Sequence, residues 1–393
     1  MASHAKSVLH LKPTHELVST RMLFTLGMAA TTVGVPLYLI SLGMPDSQFG
    51  ILAGISSLII AVISLFMPPV LERFNQLRLL IISSALTGLS YVLFGYSKNT
   101  AVAIVLIFVT NLFITININS LSILFKDSTR GKQEFTRDTG LMGSLVNLSW
   151  FIGPLLGGLV LNYAGVNGLF ILSGSLCFIS AIYLKILPIE TKIKNRDKLD
   201  INVIENLRFY MSRPKLKIAY IQRMGITVWW GFIWTFIPIF MARQGYSVAS
   251  IGLFISLTQL PLFLLEFKTV NIVARVGYRA VFTLSYLALG IICAFAFITP
   301  NFGFALGALF IGSLALSFIE PISELYFFDQ VSRIEEEKTY PIFGTSSLIG
   351  STLARVGVGV GLALLADRAA FLIIASIMIY AAYKALAIRP QET

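Results

Sequence analysis

Long apolar runs broken by short polar stretches recur from one end of this chain to the other. Twelve of them fall near 17–41, 48–67, 77–96, 100–125, 138–161, 166–187, 216–241, 248–267, 280–299, 303–327, 341–366 and 369–388. Each is close to the ~20 residues a helix needs to cross a bilayer. Lipid leaves no water to satisfy backbone groups, so the pattern predicts an all-α polytopic membrane protein of twelve transmembrane helices. These are numbered spans 1 to 12 below.

Landmarks coincide when the chain is shifted by 202 residues. Arg21 falls on Arg223, Pro36 on Pro238, Gly43 on Gly245, Gly50 on Gly252, Asn99 on Asn301, Asp127 on Asp329 and Gly157 on Gly359. A constant offset through six spans predicts two parallel six-helix repeats. The expected organisation is an N-terminal bundle over 1–187, a Lys-rich linker over 188–215 with a short amphipathic helix at 201–211, and a C-terminal bundle over 216–393. Parallel repeats of this kind build transporters whose site, at the repeat interface, is exposed alternately to each side.

Of 393 residues, 56% are hydrophobic and only 12% charged, and the net charge is +11. Distribution explains that charge. With the N-terminus placed in the cytoplasm, 25 Lys and Arg lie on the cytoplasmic side and three, Lys98, Arg243 and Arg368, on the other. This asymmetry is the positive-inside pattern and predicts that both termini are cytoplasmic. The basicity therefore reports topology and gives no reason to expect nucleic acid. Cys177 and Cys293 fall mid-span as small apolar residues. His4, His10 and His15 share the N-terminal tail without metal-ligand spacing, so neither metal nor cofactor is expected. Span 1 runs on through Pro36 without a small-residue cleavage site and is expected to be retained.

Span 5 reads "GLMGSLVNLSWFIGPLLGG", with Gly140, Ser149, Gly153, Pro154, Gly157 and Gly158. Small residues four apart share one helical face and let a neighbour approach closely. This resembles the antiporter motif of the major facilitator superfamily, with Ser149 in place of one glycine. The resemblance extends along nearly the whole chain. It implies two six-helix bundles around a central cavity lined by spans 1, 4, 7 and 10, and leans toward the exporter branch of the family. The family's loop signature between spans 2 and 3 is divided here. Glu72 and Arg73 keep the acid and base, whereas Arg275, Gly277 and Arg279 keep the glycine and bases in the second half. These residues, the span 5 glycines and Pro154 are the expected gating elements. Span 4 lacks the arginine, and span 1 the acid, that the family's proton-coupled exporters carry.

Ionisable groups inside a membrane are costly and mark candidate function. Arg355 lies eleven residues from Ala366, ~16 Å from the outer boundary at 1.5 Å per residue, and replaces Gly153 in the repeat. Glu320 and Glu324 lie one turn apart in span 10 around Pro321, a candidate hinge. Glu320 leans toward the level of Arg355, so a breakable Glu320–Arg355 pair is expected, with both acids as candidate proton carriers. Arg21 and Arg223 sit at the inner boundary as anchors or latches. Asn111, Thr115 and Asn119 on span 4, Trp230 and Trp234 on span 7, Gln259 on span 8 and Arg355 form the expected substrate surface.

These residues suit a small amphipathic organic substrate exported by a gradient, with protons as the candidate coupling ion. An organic-anion or sugar transporter and a non-transporting membrane sensor or scaffold remain alternatives. No nucleophile and base recur at a shared depth, so no enzyme is expected. The expected setting is the cell membrane, the expected partners are a small molecule and the bilayer, and the expected state is a monomer.

Overall fold

The computed structural model describes residues 13–71, 73–129, 132–187 and 203–389. Among them, ten helical stretches are long and apolar enough to cross a membrane, and a shorter apolar helix, Ala369–Ala385, closes the chain. Two continuous helical tracts each hold a pair of spans. Lys132–Ile186 folds back at Gly165 (φ +68°), making spans 5 and 6, and Val248–Ile298 folds back at Gly277 (φ +78°), making spans 8 and 9. Both turns use a left-handed conformation that favours glycine. The ten stretches already count spans 8 and 9 separately, so twelve crossings result among the described residues.

Span 7 is broken. Its helix Pro214–Thr235 ends at Phe236, and Ile237–Arg243 continues it. Pro238 has no N–H to give the Trp234 carbonyl, which accounts for the break at this point. Span 10, by contrast, is one helix, Phe302–Phe328, running unbroken through Pro321. The linker helix is Val203–Ser212. Residues 188–202 of the linker lie outside the described residues.

Within the N-terminal bundle, span 1 packs on the span 5–6 tract, as does span 3, and span 3 packs on span 4. The C-terminal bundle repeats this plan, with span 7 on span 11 and span 12 on the span 8–9 tract. Large apolar side chains such as Leu93, Ile182, Leu284 and Ile291 remain exposed around the outside, where lipid tails would cover them.

Two seams join the bundles: span 2 against span 11, and span 5 against span 8. Both close tightly at the end remote from the termini. A Cβ on Gly158 would fall 2.8 Å from the Gly252 Cα, and one on Gly359 would fall 2.8 Å from the Ser47 carbonyl oxygen. Glycine permits these backbone approaches. There Arg243 also bridges the bundles, its guanidinium 2.6 Å from Asp46 of span 2 and 3.0 Å from Asp367. At the terminal end, Gly140 and Gly143 of span 5 and Gly344 of span 11 face open space. Among the described residues, the tight glycine contacts between the bundles lie at the remote end.

Candidate functional site

Trp230 and Trp234 lie one turn apart on span 7, just before its break, so their indoles share a face. They stack at 5.1 Å with 16° between planes. Trp150 of span 5 completes the row from the other bundle, 4.4 Å from Trp234 and within 2° of parallel. At the opposite end, Trp230 Nε1 donates to Glu320 Oε2 at 2.8 Å. Three indoles thus run from the N-terminal bundle to a carboxylate of span 10. Each ring pair adds about 0.5–1.5 kcal/mol beyond its buried area, so the row favours the present arrangement of the two halves.

Arg355 makes a second crossing. Its Nε donates to Thr235 Oγ1 at 3.1 Å and its Nη1 to Ser57 Oγ at 2.7 Å. One cation therefore joins span 11 to span 7 of its own bundle and to span 2 of the other. Within the N-terminal bundle, Asn111 Nδ2 of span 4 donates to Ser56 Oγ of span 2 at 3.3 Å. By the 202-residue offset, Ser57 matches Gln259 and Arg355 matches Gly153. The polar contact across the span 2–11 seam therefore has no counterpart across span 5–8. Gln259 is left with a buried amide nitrogen that has no partner, and the indole N–H of Trp234 is in the same state. Buried donors without acceptors are rare, because each forfeits a hydrogen bond to water. Together they make the middle of the molecule a donor-rich surface beside stacked aromatic rings.

Residues 17–264 match the profile of the Major Facilitator Superfamily. The chain belongs to this superfamily. Solved structures similar to it agree. The nucleoside transporter NupG, in a point-mutant form, aligns with a TM-score of 0.76 at 15% identity, over 95% of this chain and 99% of that one. A bacterial homologue of the human lysosomal transporter Spinster, inward-facing and occupied, aligns at 0.73 and 14% over 95% of each chain. A D-xylose–proton symporter aligns at 0.72 and 11%, covering 96% of this chain and 98% of that one. No curated protein sequence matches the chain. Membership makes this a transporter rather than an enzyme.

With the superfamily fold in place, the expected site residues separate into groups. Trp234 and Arg355 contact the other bundle, Trp230 stacks on Trp234, Asn111 bonds to Ser56 within its own bundle, and Gln259 is buried on span 8. Thr115 donates back to the Asn111 carbonyl at 2.8 Å, and Asn119 to the Thr115 carbonyl at 2.8 Å and to Met67 Sδ of span 2 at 4.0 Å. The expected Glu320–Arg355 pair does not form here. The arginine turns to Ser57 and Thr235 while Glu320 takes the Trp230 N–H. Depth and side-chain lean allowed the pair, but the hydroxyls lie closer to hand than a carboxylate two helices away.

Glu324 accepts from the Tyr340 hydroxyl at 2.6 Å, a partner on span 11. Arg223 donates to Ser323 and Ser347, both at 3.3 Å. In the span 5 motif, Gly153 and Gly157 press against Ala29 and Ala30 of span 1 and Gly158 against span 8, while Gly140 stays open. Gly277 makes the turn between spans 8 and 9. The adjoining Tyr278 hydroxyl donates to Asp329 at 2.6 Å, tying that turn to span 10. Arg73 and Arg275 are exposed and Arg279 is half-buried; Glu72 lies outside the described residues.

Sequence reasoning passed over Trp150, Ser57, Thr235 and the Asp46–Arg243–Asp367 bridge. Only Trp150 carried a visible signal, as a large indole inside an otherwise small-residue motif. Among the described residues, no three His, Cys, Asp or Glu side chains gather to hold a metal.

Proposed function

We propose that this protein is a secondary active transporter that carries a small amphipathic organic molecule across the cell membrane by alternating access. The observation that carries the proposal is the Trp150–Trp234–Trp230 row ending on Glu320. It crosses the bundle interface beside the Arg355–Ser57 contact, so both connections must rearrange when the bundles rock. A ligand with an apolar ring and a polar rim fits such a surface, stacking on indole and accepting from Gln259, Trp234 or Arg355.

With the termini cytoplasmic, as the charge asymmetry implies, the tight glycine contacts lie at the outer end, and a substrate would load from the cytoplasm for export. The span 5 glycine motif supports that direction. Glu320 and Glu324 are the candidate proton carriers, Arg355, Asn111, Thr115, Asn119, Trp230, Trp234 and Gln259 the candidate substrate surface. The seam glycines and the Arg243 bridge are the candidate gate.

The test is flux in proteoliposomes holding the full chain, with a compound panel and the proton gradient present or collapsed. Trp234→Ala and Arg355→Gln are each expected to cut flux at least tenfold while leaving the yield of folded protein intact. Flux unchanged in both variants refutes the assigned surface. Gradient-independent binding without flux refutes transport and leaves a sensor.

A second substrate class, sugars or nucleosides, draws on one specific observation. The unpartnered donors of Gln259 and Trp234 suit a ligand rich in hydroxyl or carbonyl acceptors. Two structural neighbours are a nucleoside transporter and a xylose symporter, which makes both compound types part of the panel.

A further inference from the structure

The linker helix Val203–Ser212 runs almost directly into span 7 and presents two different stripes side by side. Residues three and four apart share one face of a helix. Val203, Asn206 and Tyr210 form the covered stripe, half-buried at the first two and fully buried at Tyr210. Ile204, Leu207 and Met211, each one position further on, form a second stripe. It is wholly apolar and exposed, Ile204 to 73%. Arg208 stands exposed beside it.

The helix is held at the level where span 7 enters the membrane. The extended backbone of Arg213 (φ −98°, ψ 113°) turns the chain, and Pro214 starts span 7. Tyr210 reaches Tyr220 of span 7, their rings 6.1 Å apart, and the Tyr220 hydroxyl lies 3.0 Å from Thr345 Oγ1 of span 11. Tyr220 stands inside the apolar run that opens at Leu216, so the linker helix lies against the membrane boundary and not out in solution. Charge follows the same plan. Between 203 and 217 there are four bases, Arg208, Arg213, Lys215 and Lys217, against one acid, Glu205. Glu335 takes Arg213, while Arg208, Lys215 and Lys217 are exposed.

An exposed apolar stripe with bases beside it, at a membrane boundary, is the chemistry of an interfacial helix. We propose that Ile204, Leu207 and Met211 dock into the headgroup–acyl boundary of an anionic lipid leaflet, with Arg208, Lys215 and Lys217 on the lipid phosphates. With the termini cytoplasmic, as the charge asymmetry implies, this is the inner leaflet, whose anionic lipids attract bases next to a spanning helix. The stripe is too narrow for a stable protein interface, whereas the leaflet already adjoins it through span 7. Docking anchors the linker without touching the proposed transport surface, so the two ideas stand or fall separately.

The test uses the full-length protein with Leu207→Cys on the stripe or Glu205→Cys on the opposite face; Cys177 and Cys293 are buried and should stay unlabelled. Each introduced cysteine carries an environment-sensitive fluorophore, and the protein is placed in nanodiscs of phosphatidylcholine with or without phosphatidylglycerol. The Leu207 probe should emit to the blue, be quenched by lipids spin-labelled near the ester carbonyl, and resist aqueous iodide. Met211→Cys should report the same, whereas the Glu205 probe should be quenched by iodide. Phosphatidylglycerol should raise the docked fraction, and high salt should reverse that gain. Arg208→Gln should cut the docked-to-undocked ratio about fivefold, the scale of one base at an anionic surface, and leave the melting temperature unchanged. Probes at Leu207 and Met211 open to iodide overturn the docking. Probes shielded from both iodide and spin-labelled lipid mean that protein covers the stripe, and overturn it too. Lipid quenching that phosphatidylglycerol does not change overturns the anionic partner.

Discussion

In the C-terminal bundle, Tyr286 fills the ground behind span 7 and gives its hydroxyl to the Gln222 carbonyl, while Arg223 is held by Ser323 and Ser347. At the matching positions of the N-terminal bundle, Ser84 stands for Tyr286, Leu121 and Leu145 for the two serines, and Arg21 is left without a partner. The difference runs through the whole interior. Ile319, Leu289, Ile322 and Ala375 in the second half correspond to Asn117, Thr87, Ser120 and Ser173 in the first. As a result one apolar core runs through the C-terminal bundle. The N-terminal core is divided into a group around Tyr38, Phe94 and Phe170 and a second around Leu17, Leu80 and Phe125. Two bundles can therefore share one backbone plan while one is cemented by apolar contact and the other carries a polar interior.

The largest expected effect tests the filled side of this comparison. Tyr286→Ser gives the C-terminal bundle the residue its counterpart carries. It empties a fully buried site and strips the Gln222 carbonyl of its donor, so a loss on the order of 3–5 kcal/mol is expected, as for other large-to-small core changes. Thermal unfolding in detergent measures it. A melting point within a degree of the parent would mean that the C-terminal interior is no better packed than the polar one.

Smaller effects belong to the glycines that hold the plan together. Gly157 and Gly359 are repeat mates with different neighbours: Gly157 meets the Ala30 backbone inside one bundle, and Gly359 meets Ser47 and Ile51 across a seam. Gly157→Val should overpack a fixed contact and cost about 1–3 kcal/mol in melting experiments. Gly359→Val should instead leave melting nearly unchanged and pry open the remote end, read as faster labelling of a cysteine placed at Ser47. Equal melting losses for the two would show that the seam is as permanent as the bundle interior. Arg243→Gln acts at the same seam by taking the cation from the buried Asp46 carboxylate, so a shift on the order of 1–3 kcal/mol toward the opened end is expected.

Local geometry explains how much of this was legible in the sequence. The offset of 202 was visible because its landmarks are turn and cap residues, whose roles are set by the adjoining backbone. Gly43 and Gly245 both adopt positive φ, +88° and +80°. Asn99 and Asn301 both cap the following helix, accepting from backbone N–H groups two and three residues on. The twelve spans were legible for a related reason, since length and hydropathy alone decide which segments cross lipid.

Side-chain partnerships across helices were not legible. Residue counting gave Arg355 a depth near the midplane, yet depth could not say which of several helices its guanidinium would face. Pro321 was expected as a hinge, yet span 10 runs unbroken through it, and the broken helix lies at Pro238, which the sequence marked only as a repeat landmark. The division of the N-terminal core was hidden because a Ser or Thr in a membrane helix usually bonds to its own backbone. Whether it does is settled by packing, not by spacing.

The smallest effect lies at the entrance to the C-terminal bundle. Arg213, at the end of the linker helix, lies 2.6 Å from Glu335, whose carboxylate also accepts from the Ser332 N–H at 2.9 Å and the Ser332 hydroxyl at 3.0 Å. The matching N-terminal positions, Leu11 and Gln133, carry no charge, so only one bundle has this tie. The Ser332 N–H and hydroxyl, with Arg213 after them, hold the Glu335 carboxyl below its usual range. A depressed carboxyl contributes stability that is complete above its unfolded pKa and fades as pH falls through its folded one. Acidification below the ordinary carboxylate range should therefore release the linker helix from span 11, seen as faster proteolysis near Arg213. Glu335→Gln should show the faster cleavage at neutral pH and no further change on acidification. If the variant still responds to acid, another group ties the linker, and the C-terminal bundle owes its firm entrance to something other than this charge.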